Sequence, residues 1–115
     1  MIRIVNDRVD LPGLMADARE ENRAVVLVPG QRTKRETLIA FRDTLGLPAH
    51  MGLNLDALAD VLDDHLSESP GAVELIWDGS ADLREHDQSA YEGILEVLTE
   101  LSDAYPSSQV TVIDR

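Results

Sequence analysis

The sequence predicts an α/β fold, a small parallel β-sheet of three to four strands with helices packed around it. Three observations carry this. Short apolar runs alternate along the chain with segments whose apolar residues recur at helical spacing. The best-defined runs are continuous rather than alternating, as expected for parallel strands covered on both faces. A chain of 115 residues that is 43% hydrophobic suits a single domain spanning 1–115 with a compact core.

Ile2-Arg3-Ile4-Val5 alternates well enough for a first short strand. Asp10 then caps a short helix carrying Leu11, Leu14, Met15 and Ala18. Ala24-Val25-Val26-Leu27-Val28 reads as a strand buried on both faces, ended by Pro29-Gly30. Thr33-Lys34-Arg35-Glu36 fits a capping box, with Leu38, Phe41, Arg42 and Leu45 following at helical spacing and Gly46 as the C-terminal stop. A third helix begins at Asn54 and sets Leu55, Leu58, Leu62 and Leu66 toward the core. Ala72 to Trp77 is the next strand, and Asp78-Gly79 a turn. Residues 80–86 form a short helix. Ser89-Ala90-Tyr91-Glu92 is a second capping-box candidate, opening a helix with Ile94, Leu95, Leu98 and Leu101. Val110-Thr111-Val112-Ile113 closes the chain as a strand. With only Phe41, Trp77, Tyr91 and Tyr105 as aromatics, the core must be built mostly from Leu, Val, Ile and Ala.

Charge narrows the function. The formal net charge is −12, unevenly spread. Residues 1–35 hold seven of the ten Lys/Arg and five of the 22 Asp/Glu; residues 36–115 hold three and 17. The acidic part repels nucleic acid, whose phosphates demand cations, and anionic membrane surfaces. A basic protein is the partner it suits. No cysteine is present, which excludes a disulfide scaffold and a thiolate zinc site. No run approaches the roughly 18 apolar residues of a membrane span, and Met1 to Asp7 lacks the apolar stretch of a signal peptide. A cytoplasmic protein is expected.

The most informative stretch runs from Leu47 to Asp60. Pro48 and Gly52 shape an irregular loop, Gly52 by a backbone geometry or close approach that a side chain would forbid. Asn54 is a strong N-cap, because its side-chain oxygen accepts an orphan N–H of the first turn. Leu53 and Leu58 are placed for a hydrophobic staple. Asp56 lies in the first turn, where the helix dipole favours an anion, and Asp60 one turn later on the same side. At 100° per residue Asp63 joins them in a narrow arc. A second row, Glu92, Glu96, Glu100 and Asp103, shares one face of the last helix. From spacing alone each row reads as a solvated face, the ordinary place for helical acids.

Catalytic patterns are lacking. No Gly-rich phosphate loop and no G-x-S-x-G occurs, and His50, His65 and His86 are scattered without an HExxH pairing. Neither an enzyme nor a cofactor is expected. A hard-cation site on Asp56, Asp60, Asp63 and Asp64 is the remaining metal reading, without the spacing or glycine of an EF-hand.

Leu47-Pro48, a short gap, then Gly52-Leu53-Asn54-Leu55-Asp56-Ala57-Leu58-Ala59-Asp60 resembles the signature of the barstar family, intracellular inhibitors of secreted bacterial ribonucleases. The resemblance covers about residues 24–114 and implies the same small parallel sheet. Residues 1–23 have no counterpart in the family's short form and read as an added strand–helix unit. The resemblance implies that Asp60 enters a ribonuclease active site in place of a substrate phosphate, that Asp56 contacts the enzyme nearby, and that Glu100 sits where the family has a contacting glutamate. It makes the 49–54 loop, with His50, Gly52 and Asn54, the rim. The family usually carries aromatics where His50 and Met51 stand, and often a tryptophan in the position of Ala59; a related enzyme with a different rim is implied. The expected partner is thus a small basic or phosphate-binding secreted ribonuclease, guanyl-preferring, with an acidic adaptor for a basic non-nuclease protein as the alternative.

Overall fold

The computed structural model describes residues 2–115. The elements run β1 (Arg3–Asn6), α1 (Leu11–Glu20), β2 (Ala24–Pro29), α2 (Lys34–Thr44), α3 (Leu55–Glu68), β3 (Val73–Asp78), α4 (Ala81–His86), α5 (Gln88–Ala104) and β4 (Gln109–Asp114). The four strands form one parallel sheet in the order β1-β4-β3-β2. The predicted α/β class is therefore the observed one.

Strand order decides which face each helix covers. The step from β1 to β2 crosses the sheet one way, and the steps to β3 and β4 return the other way. Right-handed crossovers then put α1 on one face and the remaining helices on the other. The second face holds the main core. Leu75 and Trp77 of β3 and Val110 and Val112 of β4 pack there against Leu38 and Phe41 of α2, Leu58 and Leu62 of α3, and Ile94 and Leu98 of α5. Trp77 lies between Phe41 and Tyr91, with ring centroids 5.9 Å away on each side. It is a core residue. Ile76 and Ile113 alternate to the α1 face and are fully buried there, as is Ala18 of α1.

Helix starts follow local chemistry. Asp10 Oδ1 accepts the Gly13 N–H at 3.2 Å, and Thr33 Oγ1 accepts the Glu36 N–H at 3.1 Å. Gly46, at φ +66°, ends α2: its N–H reaches Asp43 O and the Leu47 N–H reaches Arg42 O, the paired bonds of a Schellman stop.

Two expectations are corrected. Ala24–Val28 does not form a strand buried on both sides. It is the sheet's edge, with Ala24 exposed, Val25 to Leu27 half-buried and only Val28 fully enclosed. An apolar run reports covered faces, but not whether a neighbour lies on each side. The last long helix is capped by Asp87, not by Ser89. Asp87 Oδ1 accepts the Ala90 N–H at 3.0 Å, while its own N–H closes α4 on Leu83 O. One residue serves two abutting helices, so α5 begins ahead of the Ser89 box.

Glu74, on the inner strand β3, is buried at 1% exposure, a placement that no local sequence signal announces. The Thr111 hydroxyl donates to its Oε2 at 3.1 Å, and Arg3 and Arg23 stand 3.8 and 3.7 Å from its two oxygens. Burial raises the carboxyl's affinity for a proton, against the pull of Thr111 and the two arginines.

The acidic groove between α3 and α5

Asn54 caps α3 as its sequence position demands: its Oδ1 accepts the Ala57 N–H at 2.8 Å. Leu53 is half-buried against the core cluster that contains Leu58, the arrangement a hydrophobic staple requires. The cap fixes the rotation of α3, so its leucines and aspartates diverge. Leu58, Leu62 and Leu66 are buried, whereas Asp56, Asp60 and Asp63 are exposed.

Helix α5 lies beside α3, and the seam between them is a groove. Ala59, Val97 and Glu100 line both of two adjoining depressions in it. Asp60, Asp63, Leu101 and Ala104 complete one, of about 270 Å³. Leu55, Asp56, Gly93 and Glu96 complete the other. Leu55 is half-buried, packed against the edge of the core cluster while it lines this seam. Gly93 permits the approach, since a Cβ there would fall 2.5 Å from Leu55 Cδ1. Ala59, with one methyl, leaves the middle of the groove open.

The groove is negative and carries no internal counter-charge. Among the described residues, the carboxylates of Asp56, Asp60, Glu96 and Glu100 have no hydrogen-bond donor and no ion-pair partner. The three cations of the acidic part are engaged elsewhere: Arg42 with Asp43, Arg84 with Asp114, and Arg115 with Asp78. Asp63 differs from its neighbours. The Tyr105 hydroxyl donates to its Oδ1 at 2.8 Å and to its backbone oxygen at 3.1 Å. This pins the end of α5 to α3, and the bond to Asp63 holds the Tyr105 hydroxyl's pKa above its ordinary value.

The structure brings Asp56, Ala59, Asp60 and Glu100 together in this groove. Asn54 opens the helix, and exposed His50 and Gly52 precede it in the loop. Gly52 has no left-handed φ; a Cβ there would meet the Asn54 side-chain nitrogen at 2.9 Å, so the glycine leaves room for the cap. Met51 is buried and anchors the loop from inside, not at a rim. The second acidic row divides. Glu96 and Glu100 face the groove, Glu92 accepts from Gln88 Nε2 at 3.2 Å, and Asp103 lines a separate hollow with Ser102 and Pro106. Glu96 belongs beside Glu100, one turn earlier, and its spacing already carried that signal. Gly93 and Tyr105 had no such signal, since their roles arise from contacts with a distant helix. The aspartates of α3 do not gather into a cation site: among the described residues, no group of three or more His, Cys, Asp or Glu is placed to hold a metal ion.

The model of the family described as Barstar (barnase inhibitor) matches residues 22–113. The chain belongs to the Barstar family. Members of the Barstar family are inhibitors rather than enzymes. The match includes the whole acidic groove, while β1 and α1 precede it. No curated protein matches the chain. Among the described residues no helix is long and apolar enough to cross a membrane.

Proposed function

We propose that the chain inhibits a secreted, guanyl-preferring microbial ribonuclease by occluding its cationic active site. Asp60 takes the position of a substrate phosphate. Asp56 and Glu100 flank it as further anions, with Glu96 added by the groove. His50, Gly52 and Asn54 form the rim, and Ala59 leaves a recess that the partner's surface fills. The inhibitor acts in the cytoplasm, where it protects the producing cell from its own enzyme.

One observation carries this reading: Asp56 and Asp60 of α3 and Glu96 and Glu100 of α5, without a donor or ion-pair partner among the described residues, line a single groove in a Barstar-family chain. Like charges held together repel one another, and a cationic surface relieves that cost. Such a patch raises association rate and specificity more than raw affinity. The test is inhibition of a panel of small microbial ribonucleases. At least one is expected to be blocked at near one-to-one stoichiometry, with Asp60→Ala weakening the block far more than Asp63→Ala or Glu92→Ala. Equal effects of the three would overturn the mode. The open recess at Ala59 favours the alternative of an acidic adaptor for a basic non-nuclease protein. A pull-down from the producing organism that recovers such a protein, and no ribonuclease, decides for it.

A further inference from the structure

The first two elements meet the rest of the chain on different terms from the others. Among residues 2–23 only Ala18 is buried, whereas β3 buries five of its six residues, β4 four of six, and α5 six residues. Val5, Leu11, Leu14 and Met15 are half-buried, and Ile4 stays 53% exposed. β1 pairs with β4 alone. Every buried residue of the main core cluster lies between Val28 and Val112, inside the Barstar-family match. Segments that bury so little apolar surface open at a lower cost than the molecule as a whole.

A polar contact holds these elements against the sheet. Arg3 donates from Nε and Nη2 to the Thr111 hydroxyl, at 3.2 and 3.1 Å, and its Nη2 stands 3.8 Å from Glu74 Oε2. Thr111 in turn donates to that oxygen. Glu74 Oε1 faces Arg23, which also pairs with Glu21 and reaches the Ser107 carbonyl. Of the donors and cations around Glu74, Thr111 and Arg23 belong to the family-matched part, and only Arg3 comes from β1. The chain passes from α1 to β2 through Asn22, at φ +62°, a left-handed conformation that few residues other than glycine adopt.

We propose that residues 2–21 are a strap that opens as one unit about Asn22 while β2 to β4 and α2 to α5 stay folded, with the Arg3 guanidinium as its latch. Opening bares the outer edge of β4 and uncovers Ile76 and Ile113, which lie buried on the α1 face. Glu74 keeps Thr111 and Arg23 in the open form, so no buried carboxylate is orphaned by the movement. The strap shares no residue with the acidic groove, so the proposal stands or falls apart from the inhibitor reading.

Native-state hydrogen exchange of the full chain, followed residue by residue by NMR in rising sub-denaturing urea, tests it. Ile113 O accepts the Gly79 and Ser80 N–H groups beyond β3, so Thr111 and Ile113 bond toward β3 and Val112 toward β1. The Val5 and Val112 amides are expected to exchange through one shared opening with a weak urea dependence, because it exposes little surface. The Thr111 amide, one residue away, should wait for global unfolding, with its steep dependence. Arg3→Met should speed exchange at Val5 and Val112 several-fold. Leu62→Val, in the main core, should speed exchange at Leu98 and leave Val5 and Val112 as they were. If Val112 and Thr111 share one opening energy and one urea slope in the wild type, the strap is overturned. A Val112 amide indifferent to Arg3→Met in folded protein overturns the latch.

Discussion

The groove between α3 and α5 and the centre of the sheet both hold carboxylates, under opposite conditions. Glu74 is enclosed, receives a hydroxyl bond from Thr111 and has Arg3 and Arg23 near its oxygens. Asp56, Asp60, Glu96 and Glu100 are exposed and meet no donor or cation among the described residues. The fold brings arginines from before β2 to Glu74, a carboxylate that burial penalises, and leaves the exposed ones of the groove to water or a partner. A paired, buried charge serves cohesion; an unpaired, clustered and exposed set serves recognition.

That contrast is broken most sharply by exchanging the roles. Asp60→Ala is expected to weaken ribonuclease inhibition at least about a hundredfold, as central contact residues do, with the thermal midpoint unchanged or slightly raised. Inhibition titrations beside thermal melts check both halves. Glu74→Ala should do the reverse. It removes the acceptor of the Thr111 hydroxyl and the counter-charge of the two arginines, costing about 1–3 kcal/mol of stability by urea denaturation. Inhibition by the folded fraction should be unaffected. Loss of inhibition in that variant would mean the sheet and the groove are coupled.

A pH series sharpens the distinction. Burial raises the Glu74 pKa in the folded state, so the folded chain holds this proton more tightly than the unfolded one. Its contribution to stability is full below the ordinary glutamate range and fades as pH climbs through the raised value. Glu74→Gln keeps a neutral acceptor and removes the titration. The difference in unfolding free energy between wild type and Glu74→Gln should therefore shift against the wild type as pH rises across that interval. A constant difference refutes the assignment. Smaller again is Tyr105→Phe, which frees Asp63 and loosens the clasp between α5 and α3; a few-fold loss of inhibition is expected, with the secondary structure intact. Smallest is the response to salt. Moderate ionic strength should slow association in stopped-flow mixing and leave dissociation nearly unchanged, because screening acts on exposed charge.

Much of the fold was legible because its signals are local. A cap needs its partner only three residues away, so Asp10, Thr33 and Asn54 could be read directly, and Gly46 likewise. The α3 half of the groove was legible for the same reason, since one helix period sets Asp56 and Asp60 side by side. The Ser89 start failed because Asp87 has a competing duty at the end of α4. Met51 looked like a loop-rim residue until its burial was seen, and burial depends on neighbours far along the chain.

The sequence by itself determined the α/β class, the capped starts of α1, α2 and α3, the sign of the charge and the family signature from Gly52 to Asp60. Each depends on residues a few positions apart or on a simple sum. Tertiary structure alone decided that β2 is an edge, that Glu74 sits beside Arg3 and Arg23, and that Glu96 and Glu100 face Asp56 and Asp60 across one groove. Strand order and helix docking join segments that are distant in sequence. No local pattern encodes which of several compatible neighbours will lie beside them once the core closes.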